Sequence, residues 1–166
     1  MIAIAHVDKE WGIGKKNGLM FELPLDMKFF RETTTGKVVC MGYNTLLSLP
    51  GGKPLKNRTN ILLCPEDISV DGCICVHSVE ELLSKVKNYE KDEVFIMGGA
   101  SVYKTMLPYC DKFFITKVNA VGGAEVFFTN LDLDTRFEVV SESEWINDNG
   151  YDIKFVTYKN NDVTKY

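Results

Sequence analysis

Residues 95–103 read FIMGGASVY, an apolar stretch followed by two glycines and then by residues that suit a helix. A buried strand that passes directly into a helix is the building unit of an α/β fold, so this stretch decides the fold class. Gly98 and Gly99 at the end of the strand would let a phosphate group approach the backbone, and the following helix would offer free N–H groups. The same residues also fit a tight strand–helix turn without a ligand, and the pattern leaves both interpretations open.

The alternation of strand and helix continues outward from this unit. Apolar, β-branched runs predict strands at residues 2–7, 37–41, 59–64, 73–76, 93–97, 112–118, 137–140 and 153–158. Helix-like segments between the earlier strands cover residues 24–34, 43–49, 78–88 and 100–107. Alternating elements favour parallel strands, whereas the last three strands have no helices between them and should pair antiparallel. We therefore predict one α/β domain over residues 1–166, with a mixed, mostly parallel eight-stranded sheet and about four flanking helices.

Two local signals support the starts of these helices. Pro24 suits the first position of a helix, because proline lacks the N–H group that would have no partner there. Ser78 is followed three residues later by Glu81, which is the spacing of a capping box.

The composition indicates a globular protein and excludes several classes of function. Of the 166 residues 45% are hydrophobic and 25% charged, and the net charge of −4 together with the lack of long basic runs argues against a nucleic-acid partner. No apolar stretch approaches the length needed to span a membrane, and residues 1–6 are too short for the core of a signal peptide, so we expect a cytoplasmic protein without a membrane partner. Five cysteines are an odd number for a disulfide framework; we expect reduced thiols and no metal site.

Two further segments are candidates for a site. Residues 10–21 hold several glycines and large apolar side chains, which fit either a surface loop or a lid over an apolar ligand. This segment lacks the third glycine of a dinucleotide-binding fingerprint. Asp26 lies in the first turn of the helix predicted from Pro24, on a face shared with Phe29 and Phe30. Asp26 could be a solvated carboxylate that the helix dipole stabilises, or it could be an acid in a cleft from which water is partly excluded.

Taken in order, the motifs of these segments resemble those of the dihydrofolate reductases. The motifs are WGIG at residues 11–14, LPxD at 23–26, MGxxT at 41–45, LPGGKPL at 49–55 and GGxxVY at 98–103, with a further match at 126–128. The resemblance covers nearly the whole chain. It implies a cytoplasmic, monomeric oxidoreductase that reduces 7,8-dihydrofolate to 5,6,7,8-tetrahydrofolate by hydride transfer from NADPH, in support of one-carbon and thymidylate metabolism.

The resemblance also implies roles for individual residues. Asp26 would be the carboxylate of the pterin cleft, Thr116 would hydrogen-bond to it, and Leu19 would belong to the lid that excludes water during catalysis. Arg58 would clamp the α-carboxylate of the glutamate tail, since its planar guanidinium binds a carboxylate through two hydrogen bonds. The complete set implied to bind substrate is Ile4, Ala5, Asp26, Phe30, Leu49, Leu55, Arg58 and Thr116.

The implied cofactor path follows the glycine-containing motifs and includes the family's cis peptide at Gly98-Gly99. Its residues are His6, Ile13, Gly14, Gly42, Tyr43, Asn44, Thr45, Leu63, Cys64, His77, Met97, Gly98, Gly99, Ala100, Ser101, Val102 and Tyr103.

Several positions on this path depart from the family pattern. His6 stands where the family usually has Ala, and Met20-Phe21 replaces the usual Pro-Trp, which removes a hydrogen-bonding indole. Glu125-Val126 replaces a usual Asp-Thr, which could alter how the lid is latched.

Three departures bear on the choice of cofactor. Tyr43-Asn44 replaces a common basic pair, Cys64 a common Ser and Ser101 a frequent Arg, all around the adenosine phosphate. His77 could compensate or could be an ordinary loop histidine. Use of NADH beside NADPH is therefore possible.

Two other functions remain open from the sequence. One is a related pyrimidine or pterin reductase of the same fold, although a clamp such as Arg58 has no purpose on a phosphoribosyl substrate. The other is a folate- or nucleotide-binding relative without activity. The departures from the family pattern favour this interpretation, whereas the retention of Asp26 and Arg58 argues against it.

Overall fold

A computed structural model describes residues 1–15 and 20–166, so the expected lid residue Leu19 lies outside the described residues. The strands are β1 (Ile2–Val7), β2 (Gly12–Gly14), β3 (Val38–Gly42), β4 (Thr59–Leu63), β5 (Cys73–Val76), β6 (Val94–Ile96), β7 (Lys112–Val118), β8 (Val126–Phe127), β9 (Phe137–Glu142), β10 (Ile146–Asp148) and β11 (Tyr151–Asn160). The α-helices are α1 (Pro24–Thr34), α2 (Tyr43–Ser48), α3 (Val79–Val86) and α4 (Ala100–Met106).

The main sheet has the order β10-β11-β7-β1-β6-β3-β4-β5, and β9 also pairs with β11. Strands β1, β3, β4, β5, β6 and β7 run parallel to one another, whereas β11 is antiparallel to β7, β9 and β10. All eight predicted strands lie in this sheet, so the predicted mixed, mostly parallel α/β fold is confirmed. Two features were not predicted from the sequence. They are β10, which extends the main sheet, and the pair β2–β8, which forms a small separate sheet.

An apolar core covers each face of the main sheet, and β1 contributes to both. Ile2 and Ile4 belong to the cluster that includes Phe29 and Phe30 of α1, whereas Ala3 and Val7 belong to the cluster on the side of α3 and α4. This division follows from the alternation of side chains along a strand. The even-numbered residues of β1 therefore face α1.

The amino terminus of α1 is held by a carboxylate from the other end of the chain. Pro24 has no N–H group, and Asp148 accepts hydrogen bonds from the next two, Leu25 N to Oδ1 and Asp26 N to Oδ2, both at 3.1 Å. The N–H of Met27 donates to the carbonyl of Leu23 at 2.8 Å. Asp148 is only 2% exposed, so these bonds lie in the protein interior and fix where α1 begins.

The start of α3 follows the predicted capping pattern in part. Ser78 Oγ accepts a hydrogen bond from the N–H of Glu81 at 3.1 Å, as expected for a capping box. The Glu81 carboxylate accepts from the N–H of His77 at 3.2 Å, one residue before the position that a capping box uses.

Three structural findings relate to the composition. All five cysteines are free thiols. In the described part of the chain, no helix is long and apolar enough to cross a membrane, and no group of three or more His, Cys, Asp or Glu side chains is arranged to hold a metal ion.

We expect Asp148→Ala to lower the free energy of unfolding by about 1–3 kcal/mol, because two buried N–H groups of α1 lose their acceptor. Asp148→Asn keeps one acceptor oxygen and should lower it less. Urea unfolding followed by circular dichroism measures both changes.

The exposed Asp152 lies on the same hairpin and offers a matched control. Asp152→Ala should change the unfolding free energy by no more than about 0.5 kcal/mol. Equal stability of the Asp148→Ala and Asp152→Ala proteins would show that Asp148 does not hold α1.

Candidate active site

The candidate site is centred on the Asp26 carboxylate, where the first turn of α1 meets β1 and β7. Thr116 donates a hydrogen bond from Oγ1 to Asp26 Oδ1 at 2.6 Å. His6 Nδ1 lies 3.3 Å from Asp26 Oδ2, and the two side chains are only 10% and 14% exposed. His6 and Thr116 are register partners on the paired strands β1 and β7, so both side chains reach the same carboxylate from one face of the sheet.

This arrangement leaves Asp26 with acceptor capacity on both oxygens. An ionised carboxylate offers about four lone-pair positions, two on each oxygen. Thr116 uses one position on Oδ1, and the contact with His6 uses one on Oδ2. The remaining positions suit a planar group that presents two adjacent N–H donors.

Ile4 and Phe30 line the same side of the sheet. The Ile4 carbonyl accepts a hydrogen bond from the Tyr103 hydroxyl at 2.6 Å, and a carbonyl oxygen can accept a second hydrogen bond. Burial raises the pKa of Tyr103 well above its usual range, so this hydroxyl keeps its proton and remains a donor. Phe30, Leu49 and Leu55 are partly buried against the apolar cluster that contains Ile4.

Ala5 is the predicted substrate residue that the structure places differently. Its side chain packs against the cluster on the opposite face of the sheet, because it alternates with Ile4 and His6 along β1. Ala5 can therefore contribute its main chain to the site but not its side chain.

Arg58 lies close to Phe30 with part of its guanidinium unpaired. Its Cζ is 5.8 Å from the centre of the Phe30 ring, Nη2 donates to Thr35 Oγ1 at 3.4 Å, and the buried Nε has no partner. Burial and the nearby Arg31 both lower the pKa of Arg58. In the described residues no carboxylate forms an ion pair with Arg31 or Arg58, so the two cations together favour the binding of an anion.

A second part of the site lies where β3 and β6 end. Gly42 follows into α2, and Gly98-Gly99 leads into α4; the N–H of Gly42 donates to the Gly98 carbonyl at 2.9 Å. A Cβ placed at Gly42 would lie 3.1 Å from Val102 Cγ2, so α4 packs closely against this glycine. Neither helix has a side-chain cap, which leaves the N–H groups of both amino termini at one edge of the sheet.

Thr45 also lies at this edge of the sheet. A Cβ placed at Gly98 would lie 3.4 Å from Thr45 Oγ1, and a Cβ placed at Gly99 would lie 3.3 Å from it. The peptide bond Gly98-Gly99 is cis, as the resemblance implies. Met97 and Ala100 flank the two glycines. Val102 and Tyr103 are buried, and Tyr43 packs against the apolar core. Asn44 and Ser101 are exposed.

The ends of β4 and β5 bring Leu63, Cys64 and His77 together. The N–H of Cys64 donates to the Val76 carbonyl at 3.0 Å, and His77 Nδ1 lies 3.0 Å from the Cys64 carbonyl oxygen and 3.8 Å from its Sγ. Burial, together with the neighbouring Cys75, raises the pKa of the Cys64 thiol, which therefore stays neutral.

Hydrogen bonds that were not predicted from the sequence join the loops beside the site. The buried Asp8 carboxylate accepts hydrogen bonds from the N–H groups of Glu10, Gly12 and Gly122 at 2.8, 2.8 and 3.0 Å. It thereby ties the segment after β1 to the segment after β7. The only available signal was an acidic residue directly after an apolar strand, which is typical of an Asx turn.

Ile13 and Gly14 lie in β2, which pairs with β8 at the predicted latch. The N–H of Glu125 donates to the Gly14 carbonyl at 2.9 Å, and Val126 is the register partner of Gly14. Main-chain hydrogen bonds therefore join β2 to the segment that carries Glu125 and Val126.

Comparisons with known proteins agree on one family. The family model described as dihydrofolate reductase matches residues 1–160. The dihydrofolate reductase of Haemophilus influenzae is 35% identical over 150 residues, covering 90% of this chain and 82% of the relative, and that of Bacillus subtilis is 33% identical over 156 residues, covering 92% and 90%. A solved structure of the dihydrofolate reductase from Enterococcus faecalis, complexed with NADP(H) and RAB-propyl, superposes with a TM-score of 0.86 at 33% identity and covers 97% of this chain and 96% of that one.

Proposed function

The chain belongs to the dihydrofolate reductase family and reduces 7,8-dihydrofolate to 5,6,7,8-tetrahydrofolate with NADPH, and we propose that its reaction is organised around the Asp26 carboxylate. The hydrogen bond from Thr116 to Asp26 at 2.6 Å carries this proposal, because it fixes a carboxylate in a cleft that is largely closed to solvent.

The chemistry asks little of the protein beyond binding and one protonation. Substrate and product differ at positions 5 and 6 of the pterin, so a hydride is added at C6 and a proton at N5. NADPH supplies the hydride when it is bound. Asp26 accepts two hydrogen bonds from the amino-pyrimidine edge of the pterin, and its negative charge favours the ring that carries the additional proton at N5. Water delivers that proton.

The apolar residues around Asp26 orient the ring and keep other water away. Ile4 offers its carbonyl oxygen, and Phe30 packs against the pterin. Phe21 is buried beside His6, with the ring centres 6.4 Å apart, and closes the same side. Leu19 belongs to the same covering loop by resemblance.

The cofactor residues fit NADPH at the glycine-lined edge. The free N–H groups at the starts of α2 and α4 suit a pyrophosphate, and Gly42, Gly98 and Gly99 permit its close approach. Tyr43, Cys64 and Ser101 provide no positive charge for the additional phosphate of NADPH, and the Cys64 thiol is neutral. We therefore propose that NADH is accepted as a second reductant.

The remaining assignments follow from the same proposal. We place residues 1–166 in one domain, because the main sheet runs from β1 to β11. Five free thiols support a reducing compartment such as the cytoplasm. The net charge of −4 supports a small-molecule substrate over a nucleic acid, and we propose a monomer that acts without a membrane.

Asp26→Asn should lower kcat for dihydrofolate by about 100-fold or more at neutral pH, because the amide lacks the negative charge that favours N5 protonation. Loss of reduced-nicotinamide absorbance measures the rate. Glu22→Gln is the matched control, since Glu22 is an exposed acid close in sequence, and it should keep the wild-type rate. Near wild-type turnover of Asp26→Asn would remove Asp26 from the mechanism.

Arg58→Gln should raise KM for dihydrofolate by about 10-fold to 100-fold, which is the loss of affinity expected when hydrogen bonds to a charged carboxylate are removed. KM for a dihydropterin without the glutamate tail should not change. Lys56→Gln removes an exposed cation two residues away and should alter neither value. An equal rise in KM for both substrates in Arg58→Gln would mean that Arg58 acts on the pterin rather than on the tail.

Ser101→Arg should raise the ratio of kcat/KM for NADPH to that for NADH by about 2-fold to 5-fold, as expected for an exposed ion pair with the additional phosphate. Ser101→Gln adds a long side chain without charge and should leave the ratio as in the wild type. Measurement of both cofactors side by side in the wild type sets the reference. A wild-type protein that rejects NADH altogether would contradict the proposed second reductant.

A further inference from the structure

His6 is a largely buried histidine whose contacts are not those expected of a residue that stabilises the fold. Its Nε2 is buried and has no hydrogen-bond partner, which costs free energy relative to an apolar side chain of similar shape. Its Nδ1 contacts one group, Asp26 Oδ2, at 3.3 Å. A locally unfavourable residue that touches the central carboxylate is expected at a functional position.

We propose that His6 is a positioning residue for dihydrofolate reduction, which donates a hydrogen bond from Nδ1 to Asp26 Oδ2 and fixes the orientation of that carboxylate. This inference rests on the proposed role of Asp26.

The hydrogen bond fixes the orientation of the carboxylate. Thr116 holds Oδ1 from β7 and His6 holds Oδ2 from β1, so two neighbouring strands prevent the carboxylate from rotating. The lone pairs that remain on each oxygen then face the cleft together. A substrate that binds through two parallel hydrogen bonds needs this alignment.

The other side chains around the pair are uncharged or have hydrogen-bond partners of their own. In the described residues no lysine or arginine lies within ion-pair distance of Asp26. From α4, Tyr103 keeps its proton and donates to Ile4; from β10, Asp148 is engaged by the N–H groups of Leu25 and Asp26. Thr116 of β7 does not titrate, and neither does Phe21, which approaches His6 from the loop before α1.

Three variants separate the hydrogen bond from the stability of the fold. His6→Phe fills similar space without a donor, and His6→Asn keeps an N–H donor. Lys9→Gln is a control at an exposed cation just beyond β1. Each is assayed for kcat and KM of dihydrofolate at pH 7 and for thermal stability.

We expect His6→Phe to lower kcat/KM for dihydrofolate by about 10-fold or more at pH 7, the size of one hydrogen bond to a charged group, without loss of thermal stability. His6→Asn should recover most of this loss, because its amide N–H can still donate to Asp26. Lys9→Gln should follow the wild type.

Two results would overturn the inference. One is a His6→Phe protein that is folded and has wild-type kcat/KM; the other is a His6→Asn protein that recovers none of the activity lost in His6→Phe. If His6→Phe does not fold, His6→Ala, which also lacks a donor, takes its place. The outcome is separate from that of Asp26→Asn: an inactive Asp26→Asn with unaffected His6 variants refutes only the role of His6, and an active Asp26→Asn refutes the proposed mechanism itself.

Discussion

The parallel pairing of β1 between β6 and β7 is the constraint on which the site depends. Every residue of β1 has a register partner in β7, from Ile2 with Lys112 to Val7 with Lys117, and its first residues also pair with β6. Side chains alternate along a strand, so this register alone decides that Ile4 and His6 face α1. A slip by one residue would place Val7 in the cleft and His6 in the opposite core. Hydrophobic contacts on both faces exclude that alternative, since Ala3 and Val7 are packed against α3 and α4.

The first turn of α1 explains how two carboxylates can lie close together without destabilising the fold. Asp148 takes up the N–H groups of Leu25 and Asp26, and Leu23 accepts from Met27, so the donors of the turn are all used. An aspartate in a first turn often accepts a hydrogen bond from its own helix, but here no such donor remains. The Asp26 side chain is thus left to Thr116 and His6, while the positive end of the helix favours both negative charges.

The sequence predicts those parts of the structure that repeat a pattern over several residues. The bounds of β1, β7 and α1 agree with the prediction because each shows its period over six or more residues. Strands β2, β8 and β10 have only two or three residues, too few for a period to show. The resemblance identified Asp26, Thr116 and Arg58 because they lie in or beside motifs. The contacts of Asp148 with α1 and of Asp8 with Gly122 join residues more than 100 positions apart, and no local pattern records such a contact.

The departures at positions 6 and 21 acquire a common meaning once the fold is known. Taken singly, Phe21 removes a hydrogen-bonding indole that the family usually has, and His6 inserts an imidazole where the family usually has a methyl group. In the structure the two rings lie 6.4 Å apart, and Phe21 packs against Tyr151 with ring centres at 4.8 Å. A ring N–H donor therefore remains beside the carboxylate, but it comes from the centre of the main sheet instead of from a loop. The pairing of His6 with Thr116 in the register of β1 and β7 fixes the backbone position of that donor beside Asp26.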